Sequence, residues 1–310
     1  MSKFYLAYKY IIFLIFTLIS INFIFLKRNE KYLLNDFKNN VDSNQFEIIE
    51  EINSALLLLI QNKLNNSIWL SSKEQNFLFG IIRRFKPKKI LEIGVSAGGS
   101  SAVILNAIKD LPNSKLYSID KNKEWYLNHS KFTGWAAKNY FPELIENWSL
   151  YAGGNPSEFI EKIGNNIDLV FIDTAHYTPG EMINFLEVLP FLKEEAIVVI
   201  HDIYLIFVGN YKHKKYRNYS NNQLICYIRG KLILPSYDDK LFNINIGAVK
   251  LDKNQKKYLM QYFMALGNQW DYFPQERDIT IFRDHFMKYY DKKFVEIYDD
   301  AIAKNRYRFS

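Results

Sequence analysis

Residues 89–101 read KILEIGVSAGGSS, and this stretch decides the fold. Its apolar first part, Lys89–Ile93, predicts a buried strand, and the glycines that follow predict a tight turn. The spacing of apolar residues over Ser101–Ile108 then predicts a helix. A strand that runs through a glycine-rich turn into a helix presents the free N–H groups of the helix N-terminus. The stretch therefore predicts an α/β fold with a binding site at this turn.

The same alternation of short apolar runs and helical patterns continues along the chain. Runs such as LVFI (169–172) and AIVVI (196–200) carry no charge, as strands buried on both faces of a parallel sheet do. The pattern therefore predicts a Rossmann-like, doubly wound, mainly parallel sheet with helices on both faces. Strands are predicted at Lys89–Ile93, Lys115–Ile119, Ser149–Tyr151, Leu169–Ile172, Ala196–Ile200 and Asn243–Leu251, and helices at Gln45–Leu64, Ser72–Phe85, Ser101–Ile108, Pro156–Ile163 and Gly180–Leu192.

The 310 residues divide into four predicted segments. Residues 10–26 form a transmembrane anchor, 27–44 a linker, 45–252 the α/β domain, and 253–310 a helical, aromatic-rich tail. With 48% hydrophobic residues the chain has enough apolar material for a full core, which excludes a disordered protein. Cys226 is the only cysteine in the sequence, which excludes an internal disulfide framework and a CxxC metal or redox motif.

Residues 10–26 read YIIFLIFTLISINFIFL, seventeen residues without a charge. As a helix they would span about 26 Å, close to the hydrocarbon core of a bilayer at about 30 Å. A buried helix and a cleaved signal peptide are the alternatives, but no small-x-small cleavage site precedes Lys27. More basic residues follow this segment than precede it. The positive-inside rule therefore predicts a single-pass membrane protein with its α/β domain in the cytoplasm.

The formal net charge of +7 is concentrated in two places. Basic residues flank the predicted anchor, and a second cluster reads KHKKYR at 212–217. The remainder of the chain is close to neutral. Binding of nucleic acid is therefore not expected, because it needs a larger basic surface. The cluster at 212–217 has the charge to contact phosphates or anionic lipid.

The residues of the glycine-rich turn narrow the choice of ligand. A P-loop is excluded because no Gly-Lys-Ser/Thr sequence follows. A dinucleotide site is less favoured, since Ser96 stands where a middle glycine would let a pyrophosphate approach. Glu92, two residues before Gly94, favours a cationic ligand such as a sulfonium with an amino group. Asp120 ends the next strand, where it is placed to accept hydrogen bonds from ribose hydroxyls.

Three motifs together resemble a known family. They are ILEIGVSAGGSS (90–101) followed by SID (118–120), then DLVFIDTAH (168–176), and finally VIHD (199–202). The combination resembles the class I S-adenosylmethionine-dependent methyltransferases, and within them the small-molecule and sugar O-methyltransferase branch that includes cephalosporin-hydroxylase-like proteins. The resemblance covers about residues 70–250. It implies a seven-stranded sheet whose last strand is antiparallel, for which Asn243–Leu251 is the candidate.

The resemblance also implies which residues bind S-adenosylmethionine. The methionine part would contact the turn, the ribose would contact Asp120, and the adenine would lie near residues 153–155. The predicted cofactor-binding residues are Glu92, Gly94, Ser96, Gly98, Gly99, Ser100, Asp120 and Asp173.

Polar residues at the ends of two predicted strands are the candidates for catalysis. Asp173, His176, His201 and Asp202 all follow strands whose carboxyl ends meet at one edge of the sheet, where ligands bind. Removal of a proton from an acceptor hydroxyl suits a neutral imidazole oriented by a carboxylate. We therefore expect His176 to be the base, with His201 as the second choice and Asp173 as a further catalytic residue.

A metal ion is the alternative means of activating the hydroxyl. Asp173 and Asp202 offer the oxygen ligands that Mg²⁺ prefers. Two departures from related metal-using enzymes weigh against it. Ile203 follows Asp202 where catechol-type relatives have asparagine, and Asn184 stands where sugar-modifying relatives carry an acid.

The sequence thus predicts a methyltransferase that transfers a methyl group to a hydroxyl of a small molecule, a sugar or a lipid-linked glycan. The alternatives are a nicotinamide-dependent oxidoreductase on the same kind of sheet and a non-catalytic, cofactor-binding scaffold. Residues 253–310 lie outside the resemblance, and they could cover the sheet, form a lid or form the face of a homo-oligomer.

Overall fold

A mainly parallel β-sheet, flanked by helices on both faces, forms the centre of the molecule. This is a computed structural model, and it describes residues 46–49, 54–64, 67–203, 220–235 and 245–309. The strands are β1 Phe46–Ile49, β2 Lys89–Ile93, β3 Lys115–Asp120, β4 Glu124–Trp125, β5 Asn128–Phe132, β6 Trp148–Ala152, β7 Ile167–Ile172, β8 Leu192–His201, β9 Gly230–Pro235 and β10 Ile246–Leu251. The helices are α1 Ser54–Leu64, α2 Ser72–Phe85, α3 Gly99–Ile108, α4 Trp135–Tyr140, α5 Pro156–Ile163, α6 Gly180–Val188, α7 Ser220–Tyr227, α8 Leu259–Ala265, α9 Glu276–Tyr289 and α10 Lys292–Arg306.

The order of the strands in the main sheet is β1-β9-β10-β8-β7-β2-β3-β6 within the described residues. Five neighbouring strands, β8, β7, β2, β3 and β6, run parallel, as their apolar sequences predicted. Strand β10 pairs antiparallel with both β8 and β9, which confirms the predicted antiparallel last strand. Strands β3 and β6 extend the sheet on one side of β2, and the later strands β7 and β8 extend it on the other side. Doubly wound sheets bind ligands at such a switch point.

Three features of the sheet differ from the prediction. Residues 46–49 form strand β1 instead of the first turn of a helix, and the helix begins only at Ser54. Strand β1 pairs in parallel with β9, so the sheet in the described ranges has an eighth strand at its edge. The apolar spacing of this segment suits a helix as well as a strand. Pairing with β9 is what makes it a strand. The hairpin β4–β5 and strand β9 were not predicted from the sequence.

Helices cover both faces of the sheet with separate hydrophobic cores. On one face, α1, α2, α3 and α4 pack against residues such as Ile90 and Leu169. On the other face, α5 and α6 pack with residues such as Val170 and Ile172. The C-terminal helices α8–α10 belong to this second core, where Phe263 and Phe286 are completely buried. Burial of such a side chain stabilises the fold by about 2–3 kcal/mol. The C-terminal segment therefore covers the sheet, one of the three roles considered for it.

The predicted membrane anchor, residues 10–26, lies outside the described residues, as do the linker at 27–44 and the basic cluster at 212–217. Of the helices in the described ranges, none is both long and apolar enough to cross a bilayer. All of the described residues belong to one compact unit.

Candidate functional site

A cavity of about 540 Å³ opens at the carboxyl ends of the parallel strands. Its size suits a site for a small molecule or cofactor, and its place at the switch point of the sheet is the usual one. Most of the sequence-predicted site residues line this cavity: Gly94, Ser96, Gly99, Ser100, Asp120, Asp173, His176, His201 and Asp202. Of the predicted residues, Glu92 and Gly98 are not part of the lining.

Asp120 is fixed at the end of β3 by backbone hydrogen bonds. Its Oδ2 atom accepts from the N–H groups of Val95 and Ser96, each at 2.9 Å, and its Oδ1 atom accepts from Asn122 at 2.8 Å. A carboxylate has about four acceptor positions, so these three bonds leave one. Asp120 thus holds the glycine-rich turn in place, and it keeps capacity for one hydroxyl donor from the cavity.

The glycines of the turn are needed for the packing of the chain. Gly94 has a φ of +92°, and a Cβ atom there would lie 1.7 Å from the backbone oxygen of Asp173. Gly98 caps helix α3 with a φ of +98°, and its Cβ would press against Gly134 and Ala137. The sequence predicted that these glycines let the backbone approach a ligand. In the structure they let the loops after β2 and β7, and the start of α4, approach one another.

Glu92 differs from its predicted role as a direct contact of the cofactor. Its side chain is completely buried, and its carboxylate accepts hydrogen bonds from three serine hydroxyls: Ser100 at 2.6 Å, Ser101 at 2.7 Å and Ser118 at 2.6 Å. Burial raises the pKa of Glu92 to about 7, although these hydrogen bonds act in the opposite direction. The carboxylate therefore lies beneath the cavity and reaches it only through Ser100, which lines it.

The four candidate catalytic residues come together, as predicted. The Nε2 atom of His176 lies 3.1 Å from Oδ2 of Asp202 and 3.8 Å from Oδ1 of Asp173. The Nδ1 atom of His201 lies 3.2 Å from Oδ1 of Asp173 and 3.5 Å from Oδ2 of Asp202. The two imidazoles differ in access, because the His176 side chain is 27% exposed and that of His201 only 5%. His176 is therefore the histidine that an acceptor can approach more readily.

Glu74 is a member of this cluster that the sequence did not reveal. It belongs to the first turn of α2, where its Oε2 atom accepts the backbone N–H of Ser71 at 2.5 Å in a capping box. Its other oxygen, Oε1, lies 3.3 Å from Nε2 of His201. No local signal in the sequence connects Glu74 to a histidine at the end of β8.

The charges around His201 favour its protonated form. Burial by itself lowers the pKa of the imidazole, but Asp173, Glu74 and Asp202 outweigh it and hold the pKa well above its usual value of 6.5. In the same cluster, burial by itself raises the pKa of Asp173. The charge and the hydrogen bond of His201 outweigh burial, so the pKa of Asp173 lies below its usual value. Burial raises the pKa of Asp202 despite the nearby histidines. His201 is thus better suited to be a fixed cation than a base.

Three residues of this site have a strained backbone conformation. Ser96, His176 and Asp202 all have positive φ angles, of 53°, 63° and 58°, which side chains other than glycine adopt at a cost. Glu181, completely buried on α6, accepts the backbone N–H of His176 at 2.5 Å and the hydroxyl of Thr174 at 3.0 Å. This carboxylate therefore stabilises the unusual conformation of His176.

Asp173, His201 and Asp202 could together hold a metal ion, since one ligand atom from each lies within 4.8 Å of the others. Mg²⁺ prefers oxygen ligands, and a histidine must be neutral to bind any metal. In this structure the His201 imidazole already pairs with both carboxylates and with Glu74. The structure thus brings together Asp173 and Asp202, the predicted ligands of Mg²⁺. Their carboxylate oxygens suit this ion, but the His201 imidazole between them does not.

Residues outside the predicted motifs complete the walls of the cavity. The C-terminal segment contributes Tyr272, Pro274, Asp278 and Phe282, none of which was a predicted site residue. At the rim, Trp69 is 62% exposed and Tyr126, on the β4–β5 hairpin, is 52% exposed.

Comparison with known proteins gives one family match. The model of a methyltransferase domain matches residues 91–203, and no curated protein matches the chain. Solved structures with a similar fold include the O-methyltransferase TomG of Streptomyces achromogenes, in complex with SAM (16% identity, TM-score 0.46, covering 64% of this chain and 91% of that one). A putative caffeoyl-CoA O-methyltransferase of Staphylococcus aureus has 17% identity and a TM-score of 0.48, and the match covers 72% of this chain and 99% of that one. An O-methyltransferase of Bacillus cereus, in complex with SAH, has 13% identity and a TM-score of 0.46 (64% and 92% covered).

The matched residues 91–203 begin within β2 and end just after β8, so they contain the end of β2, the glycine-rich turn, helix α3, Asp120 and the four clustered catalytic candidates. Over residues 91–203 the chain is therefore similar to methyltransferase domains.

Proposed function

We propose that the protein transfers the methyl group of S-adenosylmethionine to a hydroxyl of a small molecule, a sugar or a lipid-linked glycan. The observation that carries this proposal is a single cavity lined by two chemically different groups of residues. The glycine-rich turn and Asp120 form one group, and the pair His176–Asp202 belongs to the other. Such an arrangement suits a cofactor and an acceptor held next to one another.

The residues at the turn fit the cofactor. The N-terminus of α3 offers free N–H groups for a carboxylate, and the remaining acceptor position of Asp120 suits a ribose hydroxyl. The carboxylate of Asp173 lines the same cavity, and its negative charge suits a cationic ligand. The bound cofactor supplies an electrophilic methyl group on a sulfonium.

His176 is the residue that we propose to remove the hydroxyl proton. Its imidazole lines the cavity, and Glu181 fixes its backbone. The proton of the acceptor hydroxyl would pass to the His176 imidazole as the acceptor oxygen takes the methyl group, with the methyl–sulfur bond breaking and S-adenosylhomocysteine as the leaving group. The carboxylate of Asp202, at 3.1 Å, then stabilises the imidazolium that forms. His201, held as a cation between Glu74 and Asp173, balances the negative charge of the carboxylates in the same cavity.

Binding of the cofactor is the first test. Calorimetry on the full-length protein in detergent should detect S-adenosylmethionine, and Asp120→Ala should weaken the binding. Asp168→Ala is a matched control, because Asp168 lies at the opposite end of β7, where it contacts Lys88, Lys89 and Lys193. If the wild-type protein does not bind S-adenosylmethionine but binds a nicotinamide dinucleotide, the proposal fails and the alternative oxidoreductase replaces it.

We also propose that residues 10–26 anchor the protein in the membrane with the methyltransferase domain in the cytoplasm. The support is the uncharged, apolar sequence of these residues and the basic residues that follow them. An anchored enzyme meets acceptors at the membrane surface, which favours a lipid-linked glycan among the acceptors considered. Transfer of a labelled methyl group to a membrane extract, followed by identification of the product, tests this. Label confined to water-soluble products would contradict it.

A further inference from the structure

The C-terminal helix α9 lies well beyond the matched residues 91–203, yet one face of it forms part of the cavity wall. Asp278 and Phe282, which are one helical turn apart, both line the cavity. The side chain of Asp278 is only 1% exposed. A carboxylate is rarely buried to this extent unless hydrogen bonds or charges compensate it. The partners of Asp278 therefore indicate why it is there.

The carboxylate of Asp278 connects the loops after two neighbouring strands. Its Oδ1 atom accepts a hydrogen bond from Nδ2 of Asn155 at 2.9 Å, and its Oδ2 atom pairs with Nζ of Lys121. Lys121 directly follows Asp120 at the end of β3, and Asn155 follows β6, the parallel neighbour of β3. Both residues line the cavity. One buried side chain thus fixes the cavity wall at two strand ends.

Two further contacts hold the same loop. Arg277, next to Asp278, pairs with Glu158 at 2.5 Å, and Glu158 accepts the backbone N–H of Asn155 at 2.8 Å in the capping box of α5. From the other side, the N–H of Gly153 donates to the backbone oxygen of Asp120 at 2.8 Å. The first turn of α9 therefore holds residues 153–158 against the end of β3.

We propose that Asp278 is a positioning residue for the cofactor: it holds Lys121 and Asn155 in place around the nucleoside end of S-adenosylmethionine. The inference rests on the proposed function, because that function places the ribose at Asp120 and the adenine near residues 153–155. Phe282, one helical turn further along α9, adds an apolar surface to the same cavity. The C-terminal segment is then part of the cofactor site as well as a cover for the sheet.

The test is the affinity for S-adenosylmethionine and S-adenosylhomocysteine, measured by calorimetry on full-length variants. Asp278→Asn keeps the shape of the side chain but removes the charge that binds Lys121. We expect about tenfold weaker binding of both ligands, because the loops would then have to be ordered by the ligand itself. Asp284→Asn is the matched control, since Asp284 is an exposed residue of the same helix. It should bind like the wild type.

A double-mutant cycle separates positioning from general stability. Lys121→Met changes a side chain that is 56% exposed, so this variant should fold even if Asp278→Asn does not. If Asp278 acts through Lys121, the double variant binds no more weakly than Lys121→Met alone. A lowered melting temperature with unchanged affinity, or fully additive losses of affinity, would overturn the proposal while the proposed function stands. Absence of binding to the wild-type protein would overturn both.

Discussion

The Nε2 atom of His176 lies 3.1 Å from Oδ2 of Asp202, although the two residues follow different strands. Both have left-handed backbone conformations, with φ angles of 63° and 58°. The loops after β7 and β8 are therefore shaped so that an imidazole and a carboxylate meet inside the cavity.

Replacement of His176 by asparagine should remove the proposed base. Asparagine tolerates the left-handed backbone, so the loop should keep its shape. We expect kcat to fall by about 10²–10⁴-fold, the usual contribution of a general base, with the affinity for S-adenosylmethionine unchanged. His129→Asn is the control, because His129 lies on the β4–β5 hairpin with its side chain 76% exposed. A similar loss of kcat in both variants would contradict the assignment.

Two variants of Asp202 should separate the effect of its charge on activity from the effect of its left-handed backbone conformation on stability. Asp202→Asn removes the charge but suits the left-handed conformation, and we expect kcat/KM to fall by about 10–100-fold. Asp202→Ala should lose at least as much activity, and it should also destabilise the fold by about 1 kcal/mol from backbone strain. Methyl-transfer kinetics and urea unfolding in the same detergent measure the two effects. Full activity of Asp202→Asn would show that its charge plays no part.

The buried carboxyl group of Glu92 should make stability depend on pH. Its pKa is raised from 4.5 to about 7 in the folded protein, so the fold is favoured while the group is protonated. The contribution is fully present below pH 4.5 and is lost as the pH rises through about 7, a change of about 3 kcal/mol. Glu92→Gln should lose this part of the pH dependence. Urea unfolding from pH 4.5 to 8 measures it.

The control for Glu92 is Glu146→Gln, which changes an exposed glutamate. This variant should follow the wild-type dependence on pH. If Glu92→Gln and the wild type lose stability in parallel across this range, Glu92 does not titrate there as its burial implies.

Removal of metal ions should leave methyl transfer largely intact. His201 pairs with Asp173 and Asp202 at 3.2 and 3.5 Å, so a cationic imidazole already occupies the place between these carboxylates. We expect activity within twofold of the untreated enzyme after incubation with EDTA and removal of the chelator. If activity is lost after this treatment and returns when Mg²⁺ is added, a metal ion, and not the His201 imidazole, lies between these carboxylates in the active enzyme.

Much of the site could be predicted because its determinants are local. The strand–turn–helix at 89–101, Asp120 at the next strand end, and the polar residues that follow β7 and β8 are each encoded within a few neighbouring residues. Parallel strands bring their carboxyl ends to one edge, so the meeting of Asp173, His176, His201 and Asp202 followed from the predicted order of elements.

Other features depended on contacts between distant parts of the chain. Residues 46–49 have an apolar pattern that suits a helix, and the edge of β9 makes them a strand. Glu92 looked like a ligand because of its position in the motif, but three serine hydroxyls enclose it beneath the cavity. Glu74 and Asp278 carry no local signal, and they reach the site only because α2 and α9 pack on the sheet.

The sequence by itself determined the strand–turn–helix motif, the parallel sheet and the cluster at the strand ends, since periodicity and glycine placement act over short distances. Only the tertiary structure decided which of those residues face the cavity and which support it. It also made the C-terminal segment a wall of that cavity, through the buried pairing of Asp278 with Lys121 and Asn155. The physical reason is that burial and hydrogen-bond partners depend on how whole elements pack, and this is not encoded in the spacing of neighbouring residues.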